Sequence, residues 1–183
     1  MKAIMLAATA ALLTGIAPAH ASVLTMGNSY AESCYRSAES RITRRSALDA
    51  CDHALASEAL MIPDRVGTFV NRGILRMISG KLDAANRDFD AALALDASEP
   101  EAWLNKAIAQ MNGGNSQAAL ELVNKAIELN PNKPHIAYFV RGLAHEDTGN
   151  LKAAFADLQR ARELAPKWRE PVVELARYQV KSR

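Results

Sequence analysis

The feature that most constrains the fold of this chain is an internal repeat, whose period is 34 residues between the first two units and 35 between the second and third. Phe69, Trp103 and Tyr138 lie at equivalent positions, and the same types of residue recur after each of them. A repeat of this length is typical of a helical hairpin that stacks on copies of itself. The recurring small residues are Gly73, Ala107 and Gly142; Gly80, Gly114 and Gly149; Ala85, Ala119 and Ala154; and Ala92, Ala126 and Ala161.

Each recurring column has a physical role in a pair of antiparallel helices. Small residues at Gly73 and its equivalents are expected to face Ala85 and its equivalents, which lets the two helices approach closely. The column that contains Gly80 ends the first helix, where a left-handed residue satisfies free carbonyl groups. Pro131 and Pro166 stop the second helix, because proline cannot continue it. No stretch alternates apolar and polar residues as a strand would, so the sequence predicts helices alone.

The three units resemble the tetratricopeptide repeat, a helix-turn-helix of 34 residues with aromatic, Gly, Ala and Pro positions. The resemblance covers residues 66–166. It departs from the family pattern at Val123 and Leu158, which replace the aromatic residue found at Phe89, and at Ala97, which replaces the final proline. The resemblance implies an all-α fold, a right-handed superhelical solenoid of antiparallel helix hairpins that ends in a C-terminal capping helix.

The repeat also predicts how the chain is divided. A degenerate hairpin is expected before the first clear unit, because Ala47, Cys51 and Ala54 reproduce the spacing of the second-helix residues. Its first helix is expected over residues 28–40, and residues 61–65 are interpreted as an insertion. A terminal helix over residues 169–181 has one apolar face that would cover the open end of the stack. The expected divisions are residues 22–65 for the degenerate hairpin, 66–99, 100–133 and 134–168 for the three repeats, and 169–183 for the cap.

The first residues predict export from the cytoplasm. Lys2 precedes an apolar stretch over residues 4–16, and Ala19, His20 and Ala21 form an Ala-x-Ala cleavage site. We therefore expect a signal peptide over residues 1–21 with cleavage after Ala21, and a periplasmic or secreted protein. No later run is long and apolar enough to span a bilayer, so no integral membrane segment is expected after cleavage.

The two cysteines, Cys34 and Cys51, fall on the facing helices of the degenerate hairpin when the repeats are aligned. Because exported proteins meet oxidising conditions, we expect a structural disulfide here, which would contribute about 3 kcal/mol in the chain-entropy model. Metal binding, a redox pair or two unrelated thiols remain the alternatives.

Two ion pairs are expected within the hairpins. Arg72 with Asp88, and Arg141 with Asp157, repeat a spacing of sixteen residues that joins equivalent positions on the two helices of a unit. Lys106 stands in the same column as the two arginines. These cations are expected to point into the hairpins, so a grip on the C-terminal carboxylate of a partner, which some members of the family use, is not expected here.

The family resemblance implies that partners bind along the concave side, which the first helices form. An apolar stripe with an acidic end follows these helices, and an amphipathic or extended protein segment could lie on it. The alternative is that most of the stripe is buried between adjacent helices. The candidate groove residues are Val70, Asn71, Ile74, Met77, Leu104, Asn105, Ile108, Met111, Phe139, Leu143 and Glu146.

The residues that could carry chemistry are sparse. His53, His135 and His145 show neither metal-ligand spacing nor a nucleophile partner, so no catalytic site, metal or cofactor is expected. The net charge of +2 gives no reason to expect nucleic acid. The leading hypothesis is a scaffold or assembly factor of the bacterial envelope that docks a protein or peptide partner. A periplasmic holdase-type chaperone is the alternative, an enzyme is a remote one, and a homodimer remains possible.

Overall fold

The computed structural model describes residues 29–178, and this part of the chain folds into nine α-helices without a strand. The expected signal peptide, residues 1–21, lies outside the described residues. The helices are α1 (Tyr30–Glu39), α2 (Arg45–Ser57), α3 (Ile62–Ile78), α4 (Leu82–Leu95), α5 (Pro100–Asn112), α6 (Ser116–Glu128), α7 (Pro134–Asp147), α8 (Leu151–Leu164) and α9 (Glu170–Leu175).

The helices pair as four hairpins, α1 with α2, α3 with α4, α5 with α6 and α7 with α8. The second helix of each hairpin packs against the first helix of the next one, and α9 packs against α8. The first helices also contact one another in order, α1 with α3, α3 with α5 and α5 with α7. The predicted stack of helical hairpins is confirmed, and its first helices together form one continuous face.

Close approach within a hairpin depends on the size of one residue pair. A Cβ atom placed on Gly73 would lie 2.4 Å from Cε1 of Phe89, and one placed on Gly142 would lie 3.0 Å from Cγ of Leu158. The middle unit has alanine at the glycine position, Ala107, and the smaller Val123 in the column of Phe89. The expected facing pair is present in the third repeat, where Ala154 O would lie 3.3 Å from a Cβ atom on Gly142. The bulky side chain one turn after that alanine position also packs on the glycine, a contact that the repeat columns did not predict.

The hairpin turns use the glycines that the repeat singled out. Gly80, Gly114 and Gly149 have φ angles of +75°, +78° and +83°, a conformation that residues with a side chain rarely adopt. After each glycine, the next backbone N–H donates to a carbonyl five residues earlier, as Lys81 N does to Arg76 O at 2.8 Å. This pattern satisfies carbonyl groups at the end of the first helix, as predicted.

The first hairpin is closed by a disulfide between Cys34 and Cys51, whose Cα atoms are 4.8 Å apart and whose side chains are fully buried. The predicted bridge is confirmed. Glu58, which follows α2, returns to the start of α1, where its carboxylate accepts hydrogen bonds from the backbone N–H groups of Tyr30 and Ala31 at 2.6 and 3.2 Å. The start and the middle of α1 are thus both fixed to the rest of the hairpin.

The insertion at residues 61–65 is largely helical: Ile62 begins α3, which has 17 residues where α5 has 13, and Pro63 lies in the first turn, where its missing N–H costs nothing. One boundary differs from the sequence prediction. The terminal helix α9 is shorter than predicted: it ends at Leu175, and residues 176–177 form a turn. The side chain of Tyr178 consequently leaves the helix and contacts α7.

A ladder of polar contacts joins the hairpins to one another. Arg72 binds Asp88 of its own hairpin (Nη2 to Oδ1, 2.7 Å) and Asp52 of the preceding one (Nη1 to Oδ1, 2.6 Å). Arg141 likewise binds Asp157 and, across the hairpin boundary, Asn124. Both predicted pairs are confirmed, and the contacts across the boundaries extend them into a ladder.

The middle rung of the ladder differs in one position. Lys106 has Leu122 where its neighbours have Asp88 and Asp157, and it binds only Asp90 of the preceding hairpin, Nζ to Oδ1 at 2.5 Å. Asp52, Asp90 and Asn124 occupy one column of the repeat. The contact across each hairpin boundary is therefore the part of the ladder that all three units keep.

Asp88 is the most deeply buried acid of the ladder, at 2 % exposure. It accepts hydrogen bonds from Arg72 and also from Arg76, whose Nη1 lies 2.8 Å from Oδ2. Burial opposes the charge of Arg72, but hydrogen bonds and charges from Asp88 and Asp52 outweigh this effect and raise the pKa of its guanidinium group. The cluster is thus a buried charge network whose members depend on one another.

Replacing Gly73 with alanine tests the close approach of α3 and α4. We expect Gly73→Ala to lower the free energy of unfolding by about 1–3 kcal/mol, because the ring of Phe89 must move. The control is Gly67→Ala in the same helix, where an added Cβ atom would meet no neighbouring residue within 4 Å. This change should raise the free energy of unfolding by about 0.5–1 kcal/mol. Urea denaturation of both variants decides the matter. Equal stability of the two would refute the packing described here.

Replacing Asp88 with asparagine tests the buried network. Asp88→Asn leaves Arg72 and Arg76 facing an uncharged group, so we expect a loss of about 2–3 kcal/mol in urea denaturation. Asp90→Asn removes a similar contact, to Lys106, from a largely exposed acid and should cost less than about 1 kcal/mol. A cost for Asp88→Asn no greater than that for Asp90→Asn would show that burial adds nothing to this pair.

Candidate protein-binding groove

The predicted groove residues lie on α3, α5 and α7, the helices that form the continuous face, but two of them belong to the core. Val70 is 6 % exposed and Leu104 is 5 % exposed. Val70 packs with Ala102 of the next hairpin, and Leu104 packs with Val140 of the hairpin after it. The interpretation of these two positions as partner contacts is wrong, because the following hairpin covers each of them.

The remaining nine predicted positions are half-buried, so each presents part of its side chain to solvent. Ile74 and Ile108 pack against buried clusters with one side, as do Met77 and Met111. The role of these positions in binding a partner stays a prediction. They are Asn71, Ile74, Met77, Asn105, Ile108, Met111, Phe139, Leu143 and Glu146.

The C-terminal end of the predicted stripe is covered by the chain itself. The rings of Phe139 and Trp168 meet edge to face at 4.8 Å, and His135 contacts the same indole at 5.2 Å. Glu146 accepts hydrogen bonds from Nη2 of Arg177 at 2.7 Å and from the hydroxyl of Tyr178 at 3.1 Å. The acidic end of the stripe is therefore already occupied by the segment that follows α8.

The contact with Glu146 changes the pKa of Tyr178. Burial and the hydrogen bond to Glu146 both disfavour the phenolate and raise the pKa of Tyr178 to about 12. Hydrogen bonding to Glu174, together with the charge of Glu146, raises the pKa of Arg177. The hydroxyl of Tyr178 thus stays protonated and can donate to Glu146 at physiological pH.

An open groove lies at the other end, between α1, the α2–α3 connection and α3, and has a volume of about 780 Å³. We call it the N-terminal groove. A volume of this size is in the range of sites that bind ligands. Of the predicted groove residues, it contains only Asn71. Its lining consists of Ser29, Ala31, Glu32, Tyr35, Glu58, Ala59, Leu60, Met61, Pro63, Asp64, Gly67, Thr68 and Asn71.

Two large side chains of the N-terminal groove are accessible, since Tyr35 is 51 % exposed and Met61 is 62 % exposed. Sequence reasoning missed both, because they lie in the degenerate hairpin, where no repeat column marks them. A signal exists for Tyr35, which directly follows Cys34 in the sequence, whereas no sequence pattern singles out Met61. Large exposed apolar residues grouped in a concave surface are typical of interaction sites.

The lining of the N-terminal groove is acidic. Among residues 29–178, it is lined by Glu32, Glu58 and Asp64 and by no lysine, arginine or histidine. The carboxylate of Glu58 is engaged at the start of α1, and Glu32 pairs with Arg36 one turn further along α1. Asp64 lies in the first turn of α3, where the helix dipole favours a negative charge.

The basic residues of the first helices are used elsewhere. Arg72, Lys106 and Arg141 all take part in the ladder between hairpins. The side-chain amide of Asn105 donates to Glu101 O of its own helix at 2.8 Å. The three cationic groups are therefore engaged in contacts between hairpins, and Lys106, expected to point into its own hairpin, instead binds Asp90 of the preceding one.

Among residues 29–178, no group of three or more histidine, cysteine, aspartate and glutamate side chains is arranged to hold a metal ion. In the same part of the chain, no helix combines the length and the apolar character that crossing a membrane requires.

Comparison with known proteins agrees with this architecture of stacked hairpins, a helical-repeat solenoid with an open groove at its N-terminal end. Two tetratricopeptide-repeat family models match, one over residues 70–134 and the other over residues 135–167. Together they cover more than half of the chain. The chain belongs to the tetratricopeptide-repeat family, a fold that is typically an interaction module rather than an enzyme.

Solved structures of similar fold include the first tetratricopeptide domain of human RPAP3, which is 27 % identical with a TM-score of 0.60 over 63 % of this chain and 90 % of that one. The first such domain of Spaghetti (RPAP3), bound to the HSP90 peptide SRMEEVD, is 26 % identical with a TM-score of 0.59, over 62 % of this chain and 89 % of that one. A tetratricopeptide protein of Thermus thermophilus is 18 % identical with a TM-score of 0.66, over 80 % of each chain, and shows the fold alone.

The assignment of predicted groove positions to core or surface can be tested by truncation. We expect Leu104→Ala to lower the free energy of unfolding by about 2–4 kcal/mol, because it leaves a cavity between the second and third repeats. Met61→Ala, in the N-terminal groove, should change it by less than about 0.5 kcal/mol, since most of that side chain is exposed. Thermal or urea denaturation measures both. A small cost at Leu104 would place it on the surface and contradict the packing.

Proposed function

We propose that this protein is an interaction scaffold that docks a segment of a partner protein in the N-terminal groove and along the adjoining face of the first helices. The observation that carries this proposal is the groove itself, a concavity of about 780 Å³ in which Tyr35 and Met61 are accessible. Membership of a family that typically mediates protein contacts supports it, as does the peptide bound by the first domain of Spaghetti (RPAP3).

We place the scaffold in the bacterial envelope, as an assembly factor without catalytic activity. The charged start, apolar stretch and Ala-x-Ala site of residues 1–21 support export. The disulfide between Cys34 and Cys51 supports it independently, because such bridges form and persist in oxidising compartments.

The decisive experiment places a photoreactive residue, p-benzoylphenylalanine, at position 35 and illuminates the cells that make the protein. The matched control carries the same residue at Tyr30, which lies on the same helix, is also half-exposed at 49 %, and stacks on His53 outside the groove lining. We expect one dominant protein adduct from position 35 that is absent from position 30.

Other outcomes distinguish the remaining hypotheses. A broad set of weak adducts from position 35 would favour a holdase-type chaperone, which must accept many clients. An adduct to a second copy of this chain would favour a homodimer that buries the groove. Adducts of equal yield from positions 35 and 30, or none from position 35, would contradict docking in the N-terminal groove.

A further inference from the structure

We propose that the segment docked in the N-terminal groove is positively charged, with lysine or arginine side chains placed beside aliphatic or aromatic ones. This inference rests on the proposed function, and it adds the chemical class of the partner. It is carried by the charge of the lining, which has three carboxylates and no cation, together with two accessible large side chains, Tyr35 and Met61.

The three carboxylates border the groove from three different elements. Glu32 lies on α1, Glu58 follows α2, and Asp64 begins α3. Because the three carboxylates line one concavity, a cation held in it is attracted by more than one negative charge, and low-dielectric walls strengthen this attraction. Within the part of the chain that the structure describes, Arg36 is the one cation paired with any of them, and it binds Glu32 with a side chain that is itself largely exposed. An incoming basic side chain can therefore compete for that carboxylate.

The apolar part of the groove defines the rest of the segment. Leu60, Met61 and Pro63, between the end of α2 and the first turn of α3, line the groove together with Tyr35 of α1, whose side chain is half-exposed. Methionine adapts to side chains of different shapes, and tyrosine offers an apolar ring face to which lysine and arginine stems also bind. A segment that combines basic and apolar side chains satisfies both parts of the lining.

This charge is opposite to that of the peptide seen with a similar domain. The sequence SRMEEVD, bound by the first domain of Spaghetti (RPAP3), ends in a run with three acidic side chains. Such a run would meet Glu32, Glu58 and Asp64 in the N-terminal groove, and like charges repel when partly desolvated. The groove therefore favours a partner of the opposite charge.

Two other occupants are less suited to the lining. Residues 22–28, which precede the groove residue Ser29, contain apolar side chains but no charged one. Cleavage after Ala21 would add only the single ammonium group of Ser22, which leaves at least two of the three carboxylates unmatched. A second copy of the chain would bring its own acidic groove to the same surface if the two copies met groove to groove. Charge complementarity selects a basic segment of another protein.

The test is a selection of random twelve-residue peptides, displayed on phage, against the purified protein. The enriched peptide is then synthesised, and fluorescence anisotropy gives its dissociation constant for two double variants that each lose two charges. Glu32→Gln with Asp64→Asn alters the groove. Asp83→Asn with Glu121→Gln is the matched control, because Asp83 lies in the first turn of α4 as Asp64 does in α3, and both control residues are exposed outside the groove.

We expect enriched peptides that carry at least two basic residues beside large apolar ones. Their affinity should fall about tenfold in the groove variant and stay unchanged in the control variant, and added salt should weaken binding further. Tyr35→Ala should also reduce the affinity, because it removes the apolar contact.

Each contrary result has a distinct meaning. Neutral or acidic peptides that still require Tyr35 would overturn the charge proposal and leave the docking function intact. Peptides that bind equally well to the groove variant, the control variant and Tyr35→Ala would overturn both proposals. The failure of any peptide to depend on Tyr35, with the groove occupied by residues 22–28 or by a second copy of the chain, would also overturn both.

Discussion

The interaction on which the whole solenoid depends is the close approach of the two helices within each hairpin. In two repeats it is made by a glycine beneath a bulky side chain, Gly73 under Phe89 and Gly142 under Leu158. In the first hairpin a covalent bond holds the two helices together. Cys51, which shares the repeat column of Phe89, forms a disulfide with Cys34 on the facing helix. One geometric requirement is therefore met in two chemical ways, and the covalent one occurs where the repeat pattern is weakest.

Contacts between hairpins then convert four separate units into one surface. Each first-helix cation of the three repeats reaches back to the second helix of the preceding unit, to Asp52, Asp90 or Asn124. Because each unit in a solenoid contacts only its neighbours, these boundary contacts help fix the angle between successive hairpins. This angle sets the curvature of the face that the first helices form. The N-terminal groove lies where α1, which the disulfide fixes, packs beside α3.

Features that depend on local chemistry could be predicted from the sequence. The turn glycines, the cysteine pair and the ion pairs of Arg72 and Arg141 follow from repeat columns, since each column reports a requirement shared by several units. Positions whose burial depends on the angle between hairpins could not be predicted in this way. Val70 and Leu104 lie on the face of a first helix that would be exposed in an isolated hairpin, and the next hairpin buries them. The N-terminal groove could not be predicted, because most of its residues lie in the degenerate hairpin, where no repeat column identifies them.

The proposed docking implies a functional role for the Cys34–Cys51 bridge, which holds α1 in place as one side of the N-terminal groove. This role is tested most directly by the dissociation constant of a groove-binding peptide for the oxidised protein and for the protein after reduction by a thiol. We predict that reduction weakens binding at least about tenfold, because α1 loses its cross-link to α2 and one wall of the groove loosens, while the helices of the three repeats persist. An unchanged dissociation constant in protein whose bridge is fully reduced would contradict the account.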